Sequence, residues 1–176
     1  GWRQMSGEAD LALFGAVRIA SSDVAIDPVF GLFGYGCEVT DNGASYSVVP
    51  LDGVYHRLNL INNKISLELY RDQYDSATVS KDGSTISMNI VNVTGVEHES
   101  NLDLTGIPAG NYQVLVNGEL SGSFIAGEGT TTVALPLPAG DSAKVEIKAG
   151  DLLENTTPVV DAGKDVTTAV NETVML

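Results

Sequence analysis

Three short stretches of the chain carry side chains able to bond to a substrate or exchange protons with it. They are Trp2-Arg3 followed by Glu8 and Asp10, then Tyr55-His56-Arg57, then Glu97-His98-Glu99. Cleaving a glycosidic bond takes two carboxylates about 5 to 10 Å apart, one of them protonated to donate to the leaving oxygen. Glu8 and Asp10 are two residues apart, so on a helix they point to different sides and do not form that pair alone. Glu8 is the candidate catalytic or sugar-contacting group, and Trp2 and Arg3 are the candidate substrate-binding groups, Trp2 as a stacking platform. The plainer role for both acids is to complement the dipole of a helix start, worth about 0.3–1 kcal/mol.

Elimination from a uronate needs a Tyr or His base and a cation to neutralise the carboxylate, and Tyr55-His56-Arg57 holds all three types. On a strand, however, Tyr55 and Arg57 share one face while His56 takes the other. Arg57 is therefore expected to pair with a carboxylate across the sheet. The same alternation sets His98 opposite Glu97 and Glu99, which argues against a metal site there. A hard cation wants several oxygens converging from a loop; Asp161 and Asp165 come somewhat nearer to that, but no spaced Asp-x-Asp-x-Asp loop appears and no metal site is expected. Gly31-Leu32-Phe33-Gly34-Tyr35-Gly36 looks like a nucleotide loop only at first sight. It follows a helical pattern instead of opening a helix, and no Lys-Ser/Thr follows it. Three Asn-x-Thr triplets, at Asn92, Asn155 and Asn171, would matter only in a eukaryotic secretory host. No cofactor is implied.

The elements that must position these groups fall into zones. Residues 6–26 carry Leu11, Leu13, Phe14, Val17 and Ile19 around almost the whole circumference, after Ser6 as N-cap. This predicts a helix of the kind buried in a larger helical body, ended by Asp27-Pro28. From Glu38 to Lys148, short β-type runs alternate with Gly, Asn and Asp turns; Ile65, Leu67 and Leu69 keep period two, and Asn117-Gly118 is a two-residue hairpin signal. About ten such strands predict an antiparallel β-sandwich, with an up-and-down barrel as the alternative closure. The expected division is 1–36 as helix and junction, 37–149 as sandwich, 150–158 as linker and 159–176 as the first strands of a further β-domain.

The 176 residues hold 9 Lys and Arg against 23 Asp and Glu, a net charge of −14. Such a chain is repelled by nucleic acid and by anionic membrane surfaces. No stretch reaches the roughly 18 apolar residues of a membrane span. Cys37 is the single cysteine, so no internal disulfide and no cysteine-rich zinc cage can form. With no Met at position 1 and a β-forming run at Thr173-Val174-Met175-Leu176, the chain reads as an excerpt of a longer protein.

Leu104-Thr105-Gly106-Ile107-Pro108-Ala109-Gly110-Asn111-Tyr112-Gln113-Val114-Leu115-Val116-Asn117-Gly118 resembles a phrase common in accessory β-sandwiches of secreted bacterial polysaccharide-degrading enzymes. In those enzymes the sandwich often follows an (α/α) toroid. The stretch from Asp27 to Val39 is similar to the toroid-to-sandwich junction of a large family of such secreted proteins. Thr157-Pro158-Val159-Val160-Asp161-Ala162-Gly163-Lys164-Asp165-Val166-Thr167 resembles the opening of a PKD-type or related Ig-like repeat, an extracellular spacer.

These resemblances imply a mainly β chain with one buried-type helix before the sandwich, the end of a toroid, and the first strands of an Ig-like domain after it. They imply a secreted or cell-surface location and a parent acting on a polysaccharide or oligosaccharide as glycoside hydrolase or polysaccharide lyase. The fragment itself is expected to be non-catalytic and to pack against its own helical domain. The alternative expectation is a non-catalytic carbohydrate-binding or cell-surface adhesion module.

Overall fold

The computed structural model describes residues 21–51 and 56–153, and within them the chain is all strand and turn. Thirteen strands form among these residues: β1 (Ser21–Asp27), β2 (Gly31–Tyr35), β3 (Cys37–Asp41), β4 (Ser45–Pro50), β5 (Arg57–Leu60), β6 (Ile65–Leu69), β7 (Gln73–Ser80), β8 (Thr85–Val91), β9 (His98–Thr105), β10 (Gly110–Val116), β11 (Glu119–Ala126), β12 (Thr130–Leu137) and β13 (Ser142–Ala149). They make a six-stranded sheet in the order β12-β9-β6-β5-β1-β2 and a seven-stranded sheet in the order β11-β10-β13-β8-β7-β4-β3. Every described pairing is antiparallel except β1 with β5. The architecture is a mainly β sandwich. No helix among the described residues is long and apolar enough to cross a membrane.

Period-two patterning builds the interior. Leu58 and Leu60, Leu67 and Leu69, Leu102 and Leu104, and Leu135 and Leu137 line the inner face of the six-stranded sheet. Val48, Val79, Ile86, Met88, Ile90, Val114, Val145 and Ile147 come from the other sheet. Each such side chain stabilises the fold by about 1.5–3 kcal/mol relative to leaving it in water. Hairpins join β3–β4, β5–β6, β7–β8 and β10–β11 at the Gly, Asn and Asp turns. Asn117 and Gly118 both take positive φ, 52° and 85°, as a type I′ turn requires. Residues 138–141 are a crossover, because β12 pairs with β9 in one sheet while β13 lies between β10 and β8 in the other.

The helix expected over 6–26 meets the described residues only at 21–26, and there the chain is strand β1. The junction expected over 27–36 holds β2, and both β1 and β2 belong to the six-stranded sheet, so among the described residues the sandwich already includes strands ahead of Cys37. The local reason is alternation: Ser22 and Val24 are buried, whereas Ser21, Asp23 and Ala25 turn outward. Asp27-Pro28 does stop the element, but as a hairpin turn in which Asp27 Oδ1 accepts the N–H groups of Val29 (2.7 Å) and Phe30 (2.9 Å). The first residues of the expected linker lie along the sandwich: Gly150 N–H donates to Asn111 O, Gln113 Nε2 to Asp151 O, and Leu153 N–H to Ser123 Oγ. Trp2, Arg3, Glu8, Asp10 and Tyr55, with the stretches 6–20 and 159–176 for which a helix and an Ig-like opening are expected, lie outside the described residues.

Candidate functional site

Two polar assemblies stand out. The first covers the outward face of the six-stranded sheet, where the residues between the inward leucines meet across strands. Arg57 lies directly opposite Glu68 and forms an ion pair with its carboxylate, as alternation on β5 led us to expect. Beside it Asn59 Nδ2 donates to Asp23 Oδ1 at 2.6 Å, and Ser66 Oγ donates to Asn59 Oδ1 at 2.7 Å. Farther along, Asp103 accepts from Tyr70 Oη (3.0 Å) and from Thr132 Oγ1 (2.6 Å). That bond keeps the Tyr70 phenol protonated, pushing it above its usual range, since an ionised phenol would face the Asp103 carboxylate.

Glu68 and Asp103 are themselves direct neighbours across β6 and β9. Two carboxylates so placed would interest a glycosidase. Each is already committed, however, Glu68 to Arg57 and Asp103 to Tyr70 and Thr132, and both sit on an open, half-exposed sheet face. Nothing there buries one acid so as to keep it protonated, as a general acid requires. The arrangement reads as cross-strand pairing.

The second assembly lies at one end of the sandwich and gathers both histidines of the chain around Asp72, whose side chain is fully buried between β6 and β7. His56 Nδ1 donates to the Asp72 carbonyl at 2.8 Å. His98, at the start of β9, places Nε2 2.8 Å from Asp72 Oδ2, while Asp72 Oδ1 accepts the Val93 N–H at 3.2 Å. Burial pushes the Asp72 carboxyl up, but the Ser100 hydroxyl, His98 and the Val93 N–H outweigh it and hold it below the ordinary carboxylate value. His98 moves the other way: the Val96 carbonyl at Nδ1 and Asp72 at Nε2 both favour the imidazolium, so its pKa is raised.

The loop between β8 and β9 is wound around Asn92. Its Oδ1 accepts from the N–H of Thr94 and Gly95 and from Thr94 Oγ1, and its Nδ2 donates to the carbonyls of Val96 and Pro138. Asp72, His98 and Thr94 thus fall in the order carboxylate, imidazole, hydroxyl, with Thr94 Oγ1 3.1 Å from Nδ1. They do not make an activated nucleophile in this state. Nδ1 faces the Val96 carbonyl as a donor, and the Thr94 proton is directed to Asn92 Oδ1.

The remaining candidates separate. Glu97 and Glu99 are exposed while His98 turns toward Asp72, and among the described residues no three His, Cys, Asp or Glu side chains are gathered to hold a metal. Cys37 is buried, and desolvation pushes its thiol up to about 11, so it is a core residue and not a nucleophile. Sequence reasoning passed over Asp72, which sits in a polar stretch without a pattern, 26 residues before its partner. The presence of only two histidines, both flanked by strand sequence, was the available signal.

A third feature is apolar. At the β1–β2 hairpin, Val29 is 81% and Phe30 83% exposed, with Ile26, Phe33 and Ile61 about half exposed nearby. The hairpin is held firmly: Asp27 closes its turn and Asn62 Oδ1 accepts the Ile26 N–H at 2.7 Å. With this geometry in hand, no protein-family model, curated protein or solved structure was found to match the chain.

Proposed function

We propose that the chain carries a non-catalytic accessory β-sandwich of a secreted or cell-surface polysaccharide-acting protein, of glycoside hydrolase or polysaccharide lyase type. In this reading it stands between a helical toroid on its N-terminal side and a PKD/Ig-like spacer on its C-terminal side, and any catalytic groups, Glu8 among the candidates, act with residues of the toroid. The observation that carries the reading is the apolar tip of the braced β1–β2 hairpin, where Val29 and Phe30 are exposed with Ile26 on one face of the hairpin and Phe33 on the other, just after the apolar segment 6–20. Exposed apolar surface gathered in one place marks a contact surface, and an adjoining body of the same protein is the partner this reading supplies. The self-paired carboxylates of the six-stranded sheet agree with a supporting role. The net charge of −14 fits a partner that is neither nucleic acid nor anionic membrane.

The second reading is a glycan-binding or adhesion module. It is favoured by Phe33 and Tyr70, exposed aromatics that both belong to the outward face of the six-stranded sheet. Affinity electrophoresis of the whole chain through gels containing neutral and acidic polysaccharides separates the two. The accessory reading predicts unchanged mobility, with polysaccharide turnover confined to the longer parent. Retardation that is lost in Tyr70→Ala supports the module.

A further inference from the structure

We propose that His98 is a proton-operated latch on the 92–97 loop: the loop is fastened to the body of the sandwich while the imidazole carries two protons and loosens when it loses one. Nε2 faces Asp72 Oδ2 at 2.8 Å and Nδ1 faces the Val96 carbonyl at 3.0 Å. A carboxylate and a carbonyl can only accept, so both nitrogens must donate, and only the imidazolium does that. The Asp72 contact retains a proton most readily, so deprotonation removes the one on Nδ1. Its lone pair then points at the Val96 oxygen.

The group able to relieve that clash is the Thr94 hydroxyl, 3.1 Å from Nδ1. To donate there it must turn away from Asn92 Oδ1 and Val96 O, its present acceptors at 2.8 and 3.2 Å. Losing one proton therefore disturbs the bonds that wind the loop around Asn92. The effect reaches the neighbouring crossover, because Asn92 Nδ2 also holds Pro138 O, Asn92 N–H donates to Asp141 O, and Gly140 N–H donates to Gly95 O.

The charged and titratable surroundings are few. Asp72 and Arg71 face His98 from the β6–β7 connection, with His56 on the far side of Asp72; Arg71 opposes the protonation that Asp72 favours. Glu97 and Glu99 flank it on its own segment and are exposed, and Asp141 lies in the crossover. Leu137, the cross-strand partner of His98 on β12, carries no charge.

The test follows the intact chain by NMR over about pH 5 to 9, the range in which an imidazole titrates. The His98 ring signals give its midpoint, and exchange protection of the Val93, Thr94, Gly95 and Gly140 amides, corrected for intrinsic base catalysis, reports the loop. We expect protection to fall at least about threefold across the His98 midpoint. In His98→Gln, whose amide donates to Asp72 without titrating, the step should vanish. Protection that stays constant while His98 titrates overturns the latch, as does an unchanged step in His98→Gln. If that variant does not fold, coincidence of the two midpoints in the wild type decides the matter.

Discussion

His98 Nε2 lies 2.8 Å from Asp72 Oδ2, and it is the buried carboxylate, not the glutamates flanking the histidine, that determines where the imidazole points. Asp72 belongs to the connection before β7 and His98 is the first residue of β9, so the pair ties the β6–β7 connection to the start of β9 at one end of the sandwich.

Replacing Asp72 with Asn should cost about 2–4 kcal/mol, because the His98 imidazolium loses its buried counter-charge and the Val93 N–H its anionic acceptor. The pH dependence has a definite sign. Asp72 titrates lower in the folded state than its ordinary 3.8, so its contribution is present above that value and lost as pH falls through the folded pKa. His98 titrates higher than its ordinary 6.5, so its contribution is complete below that value and lost as pH rises through the folded pKa. Urea unfolding across pH should therefore show both limbs in the wild type and a weakened acid limb in Asp72→Asn. An identical acid limb in the variant would show that other carboxylates govern it.

Gly106 takes φ +78°, and a Cβ there would run into the Lys64 carbonyl of the neighbouring hairpin turn. Gly106→Ala combines left-handed strain with a backbone clash and should lose at least about 2 kcal/mol by thermal or urea unfolding. Gly43→Ala is the control: its φ is also positive, +85°, but nothing lies within 4 Å of the added carbon. It should cost about 1 kcal/mol.

Tyr112 is buried, stacks on Phe124 with ring centroids 5.4 Å apart, and donates its hydroxyl to the Pro108 carbonyl at 3.0 Å. The phenol thus locks the Ile107-Pro108-Ala109-Gly110 turn four residues upstream, a structural reason for the spacing in that phrase. Tyr112→Phe should cost about 1 kcal/mol, and Tyr112→Ala about 3–5. Equal losses in the two variants would mean that the hydroxyl, and not the ring, dominates.

The Arg57–Glu68 pair is half exposed. A double-mutant cycle with Arg57→Ala and Glu68→Ala should give a coupling below about 1 kcal/mol, shrinking as salt is raised. A coupling that ignores salt would place the pair in a far drier setting than its exposure indicates.

Strands flanking a two- or three-residue turn were legible because period-two leucines and isoleucines point inward without interruption, as in Ile65-Ser66-Leu67-Glu68-Leu69. Strand β1 was not, since no Gly or Pro separates it from the apolar segment that ends at Ala20, and Ser22, a polar residue, is buried in its inward row. The first half of β7 escaped because a bulge between Tyr74 and Ser76 resets the alternation, so Tyr74 and Ala77 are both inward although three apart. Arg57 was readable as a cross-strand partner from its own strand alone. Asp72 and the Asn92 knot were not, because their bonds reach 26 and 46 residues along the chain and leave no local period.

The proposed function requires the exposed tip of the β1–β2 hairpin to be a contact surface within a larger protein. Hydroxyl-radical footprinting of Val29 and Phe30 in the 176-residue chain and in the longer polypeptide proposed as its parent measures this. On the proposed function both side chains oxidise readily in the chain and are strongly protected in the parent. Equal oxidation in the two would contradict it.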